Sequence, residues 1–389
     1  MSHLYRSCYP LTQQSTYVQN QVNRFVLSCQ GEAILPGSVR IVGNCAVSTS
    51  TPNVTPVAAG TNIYIDPDCG YHSLFMKMES GTRTSGTVES LTYYPRLVKT
   101  KAMARSYRTS MGVDSLNSVE GKAPNITVVN GMLQGLGNPG GATTGYVPFS
   151  IIPDIWVNKM SAPLPGQKCG NEVVIQFTLA TNQQVLFGSD VNANCQYVIT
   201  DLKCDWEAVP ESAVDMTAPI SYEKYVDDRQ VMNSTVTSIN VVAPGGLVDA
   251  VHMSYVSQAA EYSLTSNFLQ CPPPPGNPLY LSTVPNTLAD YGIERIIWSI
   301  NNSDTFLSGF TQDTREEIFW NALRSLNIEP KAFVTSWEDP YQPDAYFTGI
   351  PFGGLIDLLA KRFAVQLHSQ CSSTNPYICY MFFRSAGQL

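Results

Sequence analysis

The sequence predicts an all-β chain with short helical insertions, and three observations carry that prediction. Short apolar runs broken by Gly, Pro, Asn and Ser recur from one end to the other. Within several of them apolar and polar residues alternate, the period of a strand that lays one face on a core. Charged residues make up only 14% of the chain against 43% hydrophobic, where about a quarter charged is ordinary. The polar remainder is the Ser, Thr, Asn, Gln, Gly and Pro of turn-rich sheet proteins. Many short strands at turn-marked intervals build a sandwich or a barrel.

In chain order the strand-like runs are 24–28, 39–42, 62–65, 88–94, 146–152, 172–180 and 196–202, then 231–242. The clearest is 172–180: Val173, Ile175, Phe177 and Leu179 share one face, with Gln176 and Thr178 opposite. Helical signal is confined to three places. Residues 100–111 are amphipathic but rich in Ser and Thr. Residues 312–327 offer Thr311 or Asp313 as a cap, Glu316 and Glu317 where the helix dipole favours them, and Ile318, Phe319, Ala322, Leu323 and Leu326 on one face. Residues 355–367 follow Gly353-Gly354 and carry Leu358, Leu359, Arg362 and Phe363 at helical spacing.

At 389 residues the chain is long enough for two domains of roughly 100–200 residues each. A break falls where the strand 197–207 runs into Val209-Pro210-Glu211-Ser212. The expected division is an N-terminal arm at 1–19, a first β domain at 20–207, a linker at 208–222 and a second β domain at 223–389. The halves show no alignable repeat, so a repeated architecture is expected rather than a repeated sequence. Pro272 to Pro275 reads as a polyproline II segment projecting as a loop, and Gly131 to Gly145 as a second, Gly-rich loop.

The net charge of −8 argues against a protein that wraps nucleic acid, which needs clustered Lys and Arg. The densest basic stretch, Arg96, Lys99, Lys101, Arg105 and Arg108, has a spacing that suits a solvated surface as well as a binding face. No run approaches the ~18–20 apolar residues of a membrane span, and residues 1–10 lack the pattern of a signal peptide. The ten cysteines form no C-x-x-C pair, the closest being Cys195 with Cys204 and Cys371 with Cys379. Buried free thiols in a reducing compartment are the expected state. Sequons begin at Asn53, Asn125, Asn233 and Asn301; such short motifs arise by chance in Asn/Ser/Thr-rich sequence and are not read as glycosylation.

No catalytic, cofactor-binding or metal-ligating residue is expected. Gly135 to Gly140 matches G-x-G-x-x-G, but the strand-like 146–152 follows where a dinucleotide site needs a helix. Ser221-Tyr222-Glu223-Lys224 is a formal S-x-x-K without the helix or partner motifs that chemistry requires. His3, His72, His252 and His368 are too far apart for metal-ligand spacing. Asp66 with Asp68, and Asp227 with Asp228, have the residue types for Ca²⁺, but turn chemistry and solvation are the favoured explanation of both pairs. Trp156, Trp206, Trp298, Trp320 and Trp337 are spread along the chain, as core and interface packing would have them.

Three segments resemble the double jelly-roll major capsid proteins, the lineage of virophages, polinton-like viruses, tailless phages and adenovirus hexon. The first is Asn23-Arg24-Phe25-Val26-Leu27-Ser28-Cys29 followed by Ile34-Leu35-Pro36-Gly37-Ser38-Val39-Arg40-Ile41. The second joins Pro148 to Pro153, Leu164-Pro165-Gly166-Gln167-Lys168, Val173 to Ala180 and Tyr197 to Leu202. The third is the Gly-rich 349–355 leading to Pro376-Tyr377-Ile378-Cys379-Tyr380-Met381-Phe382-Phe383.

The resemblance implies two tandem eight-stranded jelly-roll β-sandwiches and a structural, non-enzymatic role. It further implies pseudo-hexameric homotrimeric capsomers in an icosahedral virion assembled inside the host cell, without a cofactor. Partners would be neighbouring capsomers, a penton, and minor or cement proteins, with no strong direct nucleic-acid contact. Competing readings are a jelly-roll carbohydrate-binding or adhesin-like protein, a β-sandwich glycoside hydrolase, and a vertex penton. The last usually carries one jelly roll.

Overall fold

The computed structural model describes residues 3–48, 63–66, 68–103, 120, 146–242, 246–261, 263–275, 292–300, 310–327, 346–358 and 361–389. Ten strands precede residue 211: β1 (Leu4–Cys8), β2 (Val22–Ser28), β3 (Glu32–Ile34), β4 (Arg40–Ser48), β5 (Phe75–Thr82), β6 (Gly86–Leu91), β7 (Val147–Ile151), β8 (Leu164–Pro165), β9 (Glu172–Leu179) and β10 (Gln196–Pro210). Eight follow: β11 (Ser221–Met232), β12 (Val236–Val242), β13 (Leu247–Ser257), β14 (Arg295–Ile300), β15 (Phe310–Gln312), β16 (Phe347–Asp357), β17 (Arg362–His368) and β18 (Tyr377–Gln388).

The pairing is the same in both groups. In the first, one sheet runs β1-β10-β4-β7, with the short β3 and β8 added, and the other runs β2-β9-β5-β6. In the second, the sheets are β11-β18-β13-β16 and β12-β17-β14-β15. Setting β3 and β8 aside, each group orders its strands 1-8-3-6 in one sheet and 2-7-4-5 in the other. That is the jelly roll, in which nested Greek-key connections put consecutive strands on opposite sheets except at the central hairpin of strands 4 and 5. The expected two tandem jelly-roll sandwiches are present. Leu4–Cys8 falls within the stretch expected as an arm, yet it pairs with β10 along its whole length, Leu4↔Ala208 to Cys8↔Cys204.

The alternation predicted for β9 appears as burial of Val173, Ile175, Phe177 and Leu179. Phe177 meets Phe25 and Phe75 at ring-centroid distances of 5.5 and 5.1 Å. The second sandwich closes over Trp298, Phe363, Met381 and Phe383. The sandwiches are joined at an edge: β6 pairs with β11 in parallel at Ser90↔Val226, making one continuous eight-stranded sheet.

Three expectations need correction. The described residues of 355–367 form no helix; β16 runs to Asp357 and β17 spans Arg362–His368 with Phe363, Val365 and Leu367 buried. Their alternation, set by pairing with β12 and β14, outweighs the helical spacing of Leu358 with Arg362 and of Leu359 with Phe363 in the sequence. The prolines 272–275 are buried or half-buried rather than projecting. Their carbonyls are used: Pro274 accepts from Gly292 N–H and Pro275 from Gln370 N–H at 2.6 Å. The first predicted helix is shifted: α1 is Tyr94–Met103, and residues 104–111 lie outside the described ones. The second is present as α2 (Arg315–Ser325), capped by Thr314 rather than Thr311 or Asp313, with the Glu317 N–H donating to its hydroxyl at 3.2 Å.

Candidate functional site

The described charges concentrate where the two jelly rolls meet. Glu89, in the middle of the edge strand β6, is buried and accepts two backbone hydrogen bonds at 2.7 Å, from Trp156 and from Tyr225 on β11. Lys159 Nζ stands 3.2 Å from Asp154, 3.8 Å from Glu89 and 3.8 Å from Glu223. Lys101, from the last turn of α1, reaches Asp154 at 2.8 Å and Glu223 at 3.8 Å. Both ammonium groups sit over the Tyr225 ring, 5.1 Å for Lys101 and 4.4 Å for Lys159. The network opens into a cleft of about 270 Å³ lined by Lys159, Tyr222, Glu223, Asp249, Arg384 and Ser385. There Arg384 grips Asp249 through Nε at 2.8 Å and Nη2 at 3.0 Å.

Burial and charge divide the acids. Burial pushes Asp154 upward, but Lys101 and Lys159 override it and hold the carboxyl well below the usual range. For Glu89 burial prevails over Lys159 and the two N–H donors, and its carboxyl is raised. Behind Tyr225, His252 is fully buried between the Tyr225 and Phe382 rings, each 5.5 Å away. Neither of its ring nitrogens has a hydrogen-bond partner among the described residues. Burial, reinforced by Arg384, keeps it neutral well below the ordinary imidazole range.

A second set of ties runs from α1. Lys99 is buried with Nζ 2.9 Å from Asp66 and 2.7 Å from Asp68. Asn267, beyond β13, donates to Asp66 at 2.6 Å. Arg96 donates to the carbonyls of Gln270, at 2.8 Å, and Phe268. Its guanidinium lies over the Phe268 and Tyr380 rings at 5.0 and 4.7 Å. One helix of the first roll is thus bonded into a loop and a strand of the second.

These positions revise the reading of the sequence. Arg96, Lys99 and Lys101 are buried or nearly so and compensated inside the protein, so they form no exposed basic face; Arg105 and Arg108 lie outside the described residues. Asp66 and Asp68 spend their oxygens on Lys99, and Asp66 also accepts from the backbone N–H of Asp68 and Cys69. Asp227 accepts from Tyr93 N–H, and Asp228 from the Gln230 side chain at 2.7 Å. Among the described residues no three His, Cys, Asp or Glu are placed to hold a metal ion.

Ser221 to Lys224 lie in β11, an extended strand. Trp156 and Trp298 are core residues, Trp206 is nearly buried, and Trp320 on α2 is exposed. Gly131 to Gly145, the sequons at Asn53, Asn125 and Asn301, and Trp337 fall outside the described residues; Asn233 is exposed between β11 and β12. The sequence reading missed Glu89, Asp154, Lys159, Asp249 and Arg384. A single carboxylate in Val88-Glu89-Ser90-Leu91 and an arginine closing the apolar run of β18 were the available signals.

The joint binds two sandwiches together, and solved structures match the chain from end to end. The PBCV-1 VP54 structure fitted into a reconstruction of the virophage Sputnik covers 100% of this chain and 94% of its own, with TM-score 0.60 and 12% identity. The quasi-atomic model of the PBCV-1 virus capsid gives the same coverage, with TM-score 0.61 and 10% identity. The fold is the double jelly roll of these capsid proteins. The Sputnik virophage structure at 3.5 Å resolution agrees, with 100% and 86% coverage, TM-score 0.53 and 11% identity. No protein-family model matches the chain, and no curated protein matches it in sequence. At these identities the double jelly roll is a likeness of fold.

Proposed function

We propose that this double jelly-roll chain is the major capsid protein of an icosahedral virus, a structural protein without catalytic function. The observation that carries the reading is the end-to-end match of the chain to the PBCV-1 and Sputnik capsid structures. In this reading the chain divides within residues 208–222, and its halves are the two towers of one tile. Three copies make a pseudo-hexagonal capsomer. It meets neighbouring capsomers, a penton and minor or cement proteins, and its place is the virion. The buried basic residues of α1 and the net charge of −8 leave genome contact to other proteins. A tile needs broad self-complementary faces of ordinary polarity, which low charge and abundant Tyr and Phe supply.

The test is light scattering of the purified chain together with negative-stain images of the same fraction. A particle of about 128 kDa, three copies of a 42.6 kDa chain, with a hexagonal outline or closed shells, is the expected result. A monomer that never assembles would sink the tile and favour the carbohydrate-binding alternative, to be followed by glycan and Ca²⁺ screens.

A further inference from the structure

None of the ten cysteines is in a disulfide, and Cys29 and Cys169 touch. Cys29 Sγ and Cys169 Sγ are 3.3 Å apart, although 140 positions separate them in sequence. Their backbones are held together independently of the sulfurs. Cys29 N–H donates to Asn171 carbonyl at 3.0 Å, and Asn171 N–H donates to Gly166 carbonyl at 2.7 Å. Gly166 sits so close to Cys29 that a Cβ built there would lie 2.1 Å from the Cys29 carbonyl oxygen, an approach only glycine permits. The turn carrying Cys169, at Gly166–Cys169, ends with Gly170 in the left-handed conformation at φ 68°. Two rigid turns therefore present two thiols to each other, and a bond of about 2.05 Å needs movement of little more than the sulfurs.

We propose that Cys29 and Cys169 form a disulfide site, closed by oxidation after the chain has folded with reduced thiols. The 3.3 Å contact lets the two sulfurs share one proton, so ionisation of one thiol is helped by the other, and either can act as the nucleophile.

The oxidant is a low-molecular-weight disulfide such as oxidised glutathione. One of the two cysteine thiolates attacks one of its sulfurs, forming a mixed disulfide and expelling one small thiolate. The other cysteine then gives up its proton and attacks the first cysteine's sulfur, expelling the second small thiolate. Two cysteine thiols are oxidised, one small disulfide is reduced, and the two protons end on the two small thiols released. Both cysteines are buried, but they lie beneath exposed Gln30, Gly31 and Asn171, so opening of surface turns admits the reagent. The link fastens the β2–β3 turn to the β8–β9 turn and closes the segment between them. A second cysteine pair, Cys8 and Cys204, lies directly opposite across β1 and β10 and serves as the internal control.

The experiment exposes the full-length reduced protein to oxidised glutathione, with and without low urea, then blocks free thiols and maps peptides without reduction. The expected result is a peptide joining Cys29 to Cys169, with a melting midpoint raised by roughly 5–10 °C and restored to its starting value by dithiothreitol. The C8S/C204S variant keeps the link and the rise; C169S loses both. Recovery of Cys29 and Cys169 as blocked free thiols under both conditions, or joined only to other cysteines, overturns the proposal. Mapping on the unaltered chain decides it even where C169S folds poorly.

Discussion

Phe382 and Phe383 are consecutive residues of β18 that lie in different hydrophobic cores. Phe382 points with Ile378 and Tyr380 into the core of the first roll, and Phe383 with Cys379 and Met381 into that of the second. A strand buried on both faces reads as an unbroken apolar run, and 377–383 does. Each phenylalanine replaced by alanine should cost about 3–5 kcal/mol. Urea unfolding of F382A and F383A measures this; a loss under 1 kcal/mol for F382A would mean the first roll is not packed on that face.

Lys99 with Asp66 and Asp68 is a buried charge triad, and its members depend on each other. Substituting K99M alone strands two carboxylates and should lower stability by about 3–5 kcal/mol. Combining K99M with D66N and D68N should recover most of that loss, because no buried charge is left unpaired. Chemical denaturation of the single and triple variants compares them. Equal losses in both would show that the lysine acts by packing alone.

His252 makes stability fall on mild acidification. Its folded pKa is depressed, so the unfolded chain binds the proton more readily. Full stability is present above the unfolded value of about 6.5 and is lost as pH falls below it, by up to roughly 1.4 kcal/mol per unit. H252F keeps the ring stack and has nothing to protonate, so the slope between about pH 5 and 6.5 should flatten. Melting curves across that interval report it, and an unchanged slope would point to another group.

Asp154 governs a lower window. Its carboxyl is also depressed, so its contribution is present above the unfolded value of about 4 and lost as pH falls from there. D154N at neutral pH removes the counter-charge of Lys101 and Lys159 and should cost roughly 2–4 kcal/mol, near the lower end because a fifth of Asp154 meets water. The loss should resist added salt, and denaturation at two ionic strengths tests that.

Strands with a clean period of two, such as β9, were legible in the sequence, as was α2 through its apolar face. The segment 355–367 was misread because Leu359 and Phe363 satisfy a helical spacing in sequence while Phe363, Val365 and Leu367 satisfy a strand, and only the partners β12 and β14 decide between them. The charged joint was illegible for a related reason. Nothing local distinguishes Lys99 from a surface lysine; its burial is set by Asp66, Asp68 and Asn267, up to 168 positions away along the chain. Periodicity records the face a residue presents to its neighbours and is silent about partners assembled by tertiary folding.

The Ser90↔Val226 pairing carries one hydrogen-bonded sheet from β16 to β2, and α1 braces the same joint through Arg96 and Lys99. Bending the chain at its waist would therefore tear a strand pair and expose compensated charges together. A molecule built this way is a stiff plank rather than a hinge. If the proposed capsid role holds and such planks cover a rounded surface, the angle must be taken up in the seams from one to the next, and copies from flat and curved regions should superimpose.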